Sequence, residues 1–366
     1  MKVALMGAGG FIGSRTVEMF HLGGLGEIRP IVRGFGGLAR LARFDLNCRI
    51  ADAADEGALA AAFAGCDFVV HAVHGHPAIV GASIPPAYRA ARAAGVKRLI
   101  YLSTASVHGQ APTPGTDERS PLNDRQPVDY NNRKVRAERL LLKERARGPV
   151  EVVILRPGIV FGPRDRWVSG IAQELLRGSA YLVNGGTGIC NSIYVDNLVQ
   201  AIHLALTADH ADREAFLVGD AETVTWAGLY ERIARALGKP ITEIQQVAKP
   251  EFRQSLKDRT EHFRSLKPTQ AVLPLFPAKL KRSVKAALSS WLEPAKQSPW
   301  ALAGKPDPIV TREMAELHQC QYRLPFDKAK RLLGYEPRIT FEEGCRRSIE
   351  WLRFADFPAW NRNGTQ

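Results

Sequence analysis

Tyr130 and Lys134 stand four residues apart, with Ser103-Thr104 upstream, and the segment Gly7-Ala8-Gly9-Gly10-Phe11-Ile12-Gly13 follows the apolar run Val3-Ala4-Leu5-Met6. On a helix, four-residue spacing puts a phenol and an ammonium on one face. A phenol of pKa near 10 needs about 4 kcal/mol of preferential phenolate stabilisation to titrate near pH 7, and a neighbouring cation has the right sign to supply it. A glycine-rich turn between a strand and a helix brings backbone amides against a pyrophosphate at the positive end of the helix. Each feature alone has a plainer reading, close packing for the glycines and a solvated helix face for the Tyr/Lys pair. Their order along one chain points to a nicotinamide-dependent enzyme.

These groups are positioned by alternating elements. Apolar runs predict strands near Lys2–Met6, Ile28–Val32, Cys48–Ala51, Phe68–Val73, Leu99–Leu102 and Val150–Leu155. Helical patterns between them fall near Phe11–Phe20, Glu56–Ala64, Pro85–Ala94 and Val128–Arg147. Continuous apolar strands alternating with helices imply a parallel sheet covered on both faces, a doubly wound α/β fold of Rossmann type whose ligands lie beyond the carboxyl ends of the strands. Residues 1–160 read as the dinucleotide-binding domain. After Arg156-Pro157-Gly158 the pattern becomes mixed, with helices near Val168–Leu176, Asn197–Leu206, Trp226–Leu237 and Phe341–Phe354 and a strand near Ser192–Val195. Residues 161–366 therefore read mainly as a smaller substrate-binding lobe, and Asp196 and Thr225 as helix N-caps.

The 366 residues, 45% of them hydrophobic, supply a substantial core, and no apolar run approaches the roughly 20 residues needed to span a bilayer. A cytoplasmic protein is expected. Five cysteines without a C-x-x-C pair fit reduced thiols, and His71, His74 and His76 lack a companion Cys or carboxylate at ligand spacing, so no metal site is expected. The net charge of +13 concentrates between Lys239 and Lys305, where 13 Lys/Arg stand against 5 Asp/Glu. No aromatic-interleaved basic stripe accompanies it, which argues against nucleic acid. Within a basic insertion at about 250–306, Leu280, Val284, Leu288 and Leu292 recur beside Lys279, Lys281, Arg282 and Lys285. That amphipathic helix reads first as packing on the lobe, with a lid over the substrate entrance or a membrane-surface contact as alternatives.

With these residues in place, the chain resembles the extended short-chain dehydrogenase/reductase family, in particular its NAD(P)-dependent epimerase/dehydratase branch. The resemblance runs from Lys2 to about Thr207 and resumes at Phe326–Phe354. It implies that Gly7, Gly10 and Gly13, with Phe11 and Ile12 opening the helix, carry the cofactor pyrophosphate. Leu102-Ser103-Thr104-Ala105-Ser106-Val107-His108-Gly109 resembles the strand end that bears the catalytic hydroxyl, here Thr104. The resemblance makes Tyr130 the general acid/base, and Lys134 its electrostatic tuner and ribose ligand. The same resemblance implies that Pro157 and Gly158 flank the nicotinamide and that Asp52 matches the acidic residue beside the adenine, although capping of the next segment would also account for Asp52.

Val32-Arg33-Gly34, with Arg40 and Arg43 following, places a guanidinium where a 2′-phosphate would sit, so NADP is preferred to NAD. The resemblance favours an epimerase or oxidoreductase acting on a sugar or nucleotide sugar. Ala105-Ser106 after the catalytic threonine disfavours a 4,6-dehydratase. Cys190 replaces the arginine expected to hold a nucleotide diphosphate, unless Arg164, Arg166 or Arg177 supplies that charge, and this keeps a ketoreductase similar to steroid or flavonoid reductases in view. A non-catalytic NADP sensor is the alternative from another class. The expected partners are a small molecule, an anionic one included, and a second copy of the chain in a homodimer.

Overall fold

The computed structural model describes residues 1–75, 77–248 and 306–358. Seven parallel strands form its main sheet in the order β11-β6-β5-β4-β1-β2-β3. Their ranges are β1 Lys2–Met6, β2 Glu27–Val32, β3 Arg49–Ile50, β4 Phe68–His71, β5 Arg98–Leu102, β6 Glu151–Pro157 and β11 Ala215–Val218. After β1 the chain winds outward through β2 and β3, then crosses to β4 on the other side. This reversal opens a crevice at the carboxyl ends of β1 and β4, the place where doubly wound sheets bind ligands.

Period-two alternation assigns the two faces of the sheet. Val3 and Leu5 point to a core shared with α1 (Phe11–Leu22) and α7 (Val195–Thr207), through Val17, Phe20, Leu198 and Ile202. Ala4 and Met6 point the other way, towards α2 (Glu56–Phe63), α4 (Ile84–Ala93) and α5 (Asp129–Arg145), through Leu59, Phe63, Tyr88 and Leu141. A short α3 (Pro77–Ala82) precedes α4. The expected strand continuation to Val73 is absent: β4 ends at His71, and the Ala72 amide still bonds the Met6 carbonyl at 3.1 Å before the chain turns across the glycine-rich loop.

The chain returns to the sheet after residue 160, because α7 covers one face and β11 pairs with β6. Between and beyond these stand the lobe elements: β7 (Ile159–Phe161) paired with β10 (Ser192–Tyr194), β8 (Tyr181–Val183) with β13 (Gln245–Val247), and β9 (Ile189–Cys190) with β12 (Val224–Thr225). Helices α6 (Arg166–Arg177), α8 (Trp226–Ala236), α9 (Arg312–Leu317) and α11 (Phe341–Phe354) accompany them, while α10 (Asp327–Leu333) packs beside β11. Phe161, Ile171, Tyr194, Trp226, Tyr230 and Leu352 share the lobe core. Thr225 caps α8 by accepting the Gly228 amide at 3.1 Å. Asp196 does not cap α7: the N-cap is Tyr194, and Asp196 instead binds Arg15 in two hydrogen bonds of 2.6 and 2.7 Å and Arg347 at 3.2 Å. Two arginines outcompete backbone amides for a buried carboxylate because each contact is charge-assisted. The expected basic helix Lys279–Leu292 lies outside the described residues, as does His76.

Candidate active site

The glycine-rich turn leaves β1 at Gly7, whose φ of +79° suits glycine. A Cβ at Gly7 would lie 2.5 Å from the Ala72 carbonyl oxygen, and one at Gly13 only 2.2 Å from the Gly7 carbonyl oxygen. These two glycines let β4, the turn and α1 close on one another. Gly10 differs, since its added carbon would meet only the Gly7 oxygen at 3.3 Å. It occupies the N-cap of α1 with extended backbone and no side-chain cap. The first helical amides, those of Phe11 and Ile12, therefore open onto the crevice at the positive end of the helix. A bare-backbone cradle at an uncapped helix start fits a pyrophosphate.

Arg33 is exposed just after β2, and among the described residues neither it nor Arg40 forms an ion pair, whereas Arg43 binds Glu18 at 2.7 Å. Asp52 is exposed, and its Oδ1 accepts the Ala54 amide at 2.9 Å, bracing the turn into α2. At the other end of the crevice Pro157 closes β6. Gly158 is packed so tightly on the next segment that a Cβ would fall 2.0 Å from the Asn191 carbonyl oxygen.

The end of β5 and the start of α5 bring three reactive groups to the carboxyl edge. Thr104 is buried, and its Oγ1 accepts the Ser106 amide at 3.2 Å, which leaves the hydroxyl proton free to be donated elsewhere. Tyr130 is the second residue of α5 and Lys134 follows one turn later, with its Nζ donating to the Leu102 carbonyl at 2.7 Å and lying 4.8 Å from the centre of the Tyr101 ring. Burial lowers the Lys134 ammonium to about 8, and the Glu138 carboxylate opposes that fall. Burial pushes the Tyr130 phenol up to about 12, with Arg166 pulling it down and Glu313 pushing it further up. The lysine's charge is directed at Leu102 and Tyr101, so the neutral-range phenol expected of the Tyr/Lys pair is not a property of the protein groups alone.

Beneath them lies a buried network. The Ser103 hydroxyl donates to Glu138 Oε1, and Arg156 holds the same carboxylate through Nε at 3.1 Å and Nη2 at 2.7 Å. Arg156 Nη1 contacts His108 Nε2 at 3.1 Å and donates to the Glu118 carbonyl at 3.2 Å, and burial with the Arg156 charge pushes His108 down to about 4. Glu138 thus joins the strand bearing Thr104, the helix bearing Tyr130 and Lys134, and the strand leading to Pro157. Its place one turn after Lys134 was visible as a spacing, but its partners come from 18 and 35 residues away. Glu313 has no such signal; α9 brings it in, where its Oε1 accepts from Gln110 Nε2 at 3.3 Å. The His74 ring packs edge-on against Tyr130 at 5.7 Å, while His71 is buried with its Nε2 3.0 Å from Ser83 Oγ.

Known proteins fit this geometry. The sequence profile of the NAD dependent epimerase/dehydratase family matches residues 3–219. A 3beta-hydroxysteroid-dehydrogenase/decarboxylase of Arabidopsis thaliana is 28% identical over 74% of this chain and 56% of its own length, so the match spans about half of that relative. A 2-alkyl-3-oxoalkanoate reductase of Stenotrophomonas maltophilia is 26% identical over 95% of this chain and 98% of its own. Among solved structures, the dTDP-glucose 4,6-dehydratase of Streptomyces venezuelae with NAD bound superposes with a TM-score of 0.70 over 97% of both chains at 21% identity, a likeness of fold. The profile covers both the glycine-rich turn and the Thr104, Tyr130 and Lys134 positions, and the chain belongs to the NAD-dependent epimerase/dehydratase family.

Proposed function

We propose that the protein is an NAD(P)-dependent oxidoreductase that interconverts a secondary alcohol and a ketone. The observation that carries this reading is the convergence of Thr104, Tyr130 and a buried Lys134 at the sheet edge beside the glycine cradle. The bound nicotinamide supplies or accepts the hydride. Gly7, Gly10 and Gly13, with the amides of Phe11 and Ile12, hold the pyrophosphate, and Lys134 holds the ribose hydroxyls. Arg33 and Arg40 suit a 2′-phosphate and favour NADP. In the reducing direction the Thr104 hydroxyl donates a hydrogen bond to the substrate oxygen and Tyr130 delivers its proton there; in the oxidising direction Tyr130 as phenolate removes it. The lowering of the phenol that the second direction requires comes from positive charge acting on the ring: Arg166 pulls in that direction, and an oxidised nicotinamide would add to it when bound.

A ketone/alcohol substrate with a largely apolar skeleton is favoured over a nucleotide sugar. Cys190, at the position where the family resemblance calls for a diphosphate-binding arginine, is buried in the lobe core and burial pushes its thiol well above the ordinary range, so it offers an anion nothing. The full-length similarity to an oxoalkanoate reductase and the partial similarity to a hydroxysteroid dehydrogenase support the same choice. The test is to mix the purified protein with NADPH or NADH and panels of 3-oxo acids, 3-oxosteroids and UDP- or dTDP-sugars. Net consumption of reduced cofactor with a ketone supports the proposal; sugar epimerisation by a tightly retained NAD, without net redox change, refutes it.

A further inference from the structure

Beside the reactive edge lies a small cavity that the proton-transfer groups do not use. Its wall begins at Ala105, the residue after Thr104, and at Gly158, the residue after Pro157. From there it runs between β10, the turn that follows β11 and the segment that leads into α10. It encloses about 350 Å³ of space, part of it open to solvent. That is the low end of the range for small-molecule sites and suits one end of a compact substrate.

Four polar residues along this wall are committed to different degrees. Asp220 is buried and belongs to the fold: its carboxylate accepts the Tyr194 amide at 2.9 Å and Asn197 Nδ2 at 2.7 Å. Glu222 differs, because its Oε1 accepts the Phe341 amide at 3.0 Å while its Oε2 is buried with no hydrogen-bond partner among the described residues. Ser192 is 5% exposed, and its hydroxyl, although beside Asp220, also meets no partner at hydrogen-bond geometry. Arg323 brings the opposite charge, with Nη2 donating to the Asp220 carbonyl at 3.0 Å and the guanidinium 5.3 Å from the centre of the Phe326 ring. A buried carboxylate oxygen and a buried hydroxyl left unmet are costly, and a ligand that meets both removes that cost.

We propose that this cavity is a subsite for a neutral hydroxyl group carried by the substrate a few carbons from its reacting carbon. Resting on the alcohol/ketone reading of the site, this makes the substrate class the hydroxy ketones and the corresponding diols. The separation is short because Ala105 and Gly158 belong both to the cavity wall and to the chain ends that carry Thr104 and Pro157. A hydroxyl has one proton to donate, which goes to Glu222 Oε2, and lone pairs that accept from Ser192. A full charge fits less well, since an anion meets the acids Glu222 and Asp220, a cation meets Arg323, and each is held by one wall and opposed by the other. A neutral dipolar group is opposed by neither.

The test uses the full chain, saturating NADPH and three ketones that share one ring: 4-methylcyclohexanone, 4-(hydroxymethyl)cyclohexanone and the methyl ether of the latter. Wild type should favour the hydroxymethyl ketone in kcat/KM by about 10- to 100-fold, since neither the methyl group nor the ether can donate to Glu222. Ser192→Ala, and Glu222→Gln, which keeps an acceptor for the Phe341 amide, should each lose about 10-fold on the hydroxymethyl ketone against a few-fold on the methyl ketone. A wild type that treats the three alike, or variants that lose equally on all of them, would overturn the subsite while leaving the alcohol/ketone reading intact. Preference for 4-oxocyclohexanecarboxylate or 4-(aminomethyl)cyclohexanone over the hydroxymethyl ketone would also overturn it, giving the cavity to an anion on Arg323 or a cation on the acids. Calorimetry with cyclohexylmethanol on the NADPH-loaded protein reads binding without turnover: heat that disappears in Ser192→Ala supports the subsite, and heat that persists there, or is absent from wild type, rejects it. A wild type that reduces none of these ketones but interconverts sugar nucleotides removes the oxidoreductase reading itself, and the inference with it.

Discussion

A Tyr130 hydroxyl held at about 12 is a donor at neutral pH, so the protein groups by themselves favour the reducing direction. Tyr130→Phe removes that proton with almost no change in volume. Its turnover should fall at least 100-fold while cofactor affinity and thermal midpoint stay near wild type; steady-state rates, cofactor titration and a melting curve check the three together. Glu138 sets the charge of the neighbouring lysine. In Glu138→Gln the carboxylate that opposes the fall of Lys134 is gone and Arg156 is left uncompensated, so Lys134 should lose its proton below its present value of about 8. Since the charged lysine is the active form, the alkaline fall of the kcat profile should move to lower pH; a pH–rate curve displaced upward or unmoved would contradict this. For Arg33→Ala, NADP binding should weaken by about 1.5–3 kcal/mol and NAD binding by much less, because only NADP carries the phosphate. Fluorescence titration with each reduced cofactor measures the difference.

At the level of elements, the glycine-rich turn separates two kinds of glycine. Gly13→Ala sets a methyl 2.2 Å from a backbone oxygen that has no rotamer with which to yield, so α1 must shift away from β1. A loss of about 1–3 kcal/mol of stability is expected, together with weakened cofactor binding. Gly10→Ala meets its nearest atom at 3.3 Å and should keep its melting temperature within a few degrees, so a larger fall in Gly10→Ala than in Gly13→Ala would reverse this account. The elements bearing these groups were readable because their patterns are local. Lys2–Met6, Phe11 as the start of α1 and Phe341–Phe354 follow from apolar periodicity and cap chemistry. Strand β10 was legible near Ser192–Val195, but its partner β7, strand β11 and the pair β8–β13 were not recognised, because three or four residues carry too little pattern and their partners are remote in sequence.

Across the whole molecule, acidification should act through buried imidazoles. His71 is lowered to about 3 and His108 and His318 to about 4, chiefly by burial, so all three are neutral when folded. Their folded values lie below the ordinary value, hence the unfolded chain binds more protons and stability falls as pH drops from about 6.5 towards 4. Asp220, raised to about 7, and Asp165, raised to about 6, work the other way, since their protonated forms suit the fold. Between pH 6.5 and 5 the three histidines prevail over the two carboxyls, for a net loss on the order of 2 kcal/mol. Thermal or urea unfolding across that range should show the midpoint decreasing; a midpoint that rises on acidification would mean the buried carboxyls dominate.

The amino-acid sequence by itself determined the doubly wound class, the glycine cradle and the Tyr130/Lys134 face, because each is written in spacings of two to six residues that local backbone geometry converts directly into position. Only the tertiary structure decided that Asp196 ties Arg15 to Arg347 instead of capping a helix, and that Glu138 gathers Ser103 and Arg156 beneath the reactive groups. It alone brought Glu313 of α9 to Gln110, 203 residues away in sequence. Those roles depend on which charges meet after the chain has crossed the sheet several times, and a buried charge takes the partner that folding presents to it, wherever that partner lies in the sequence.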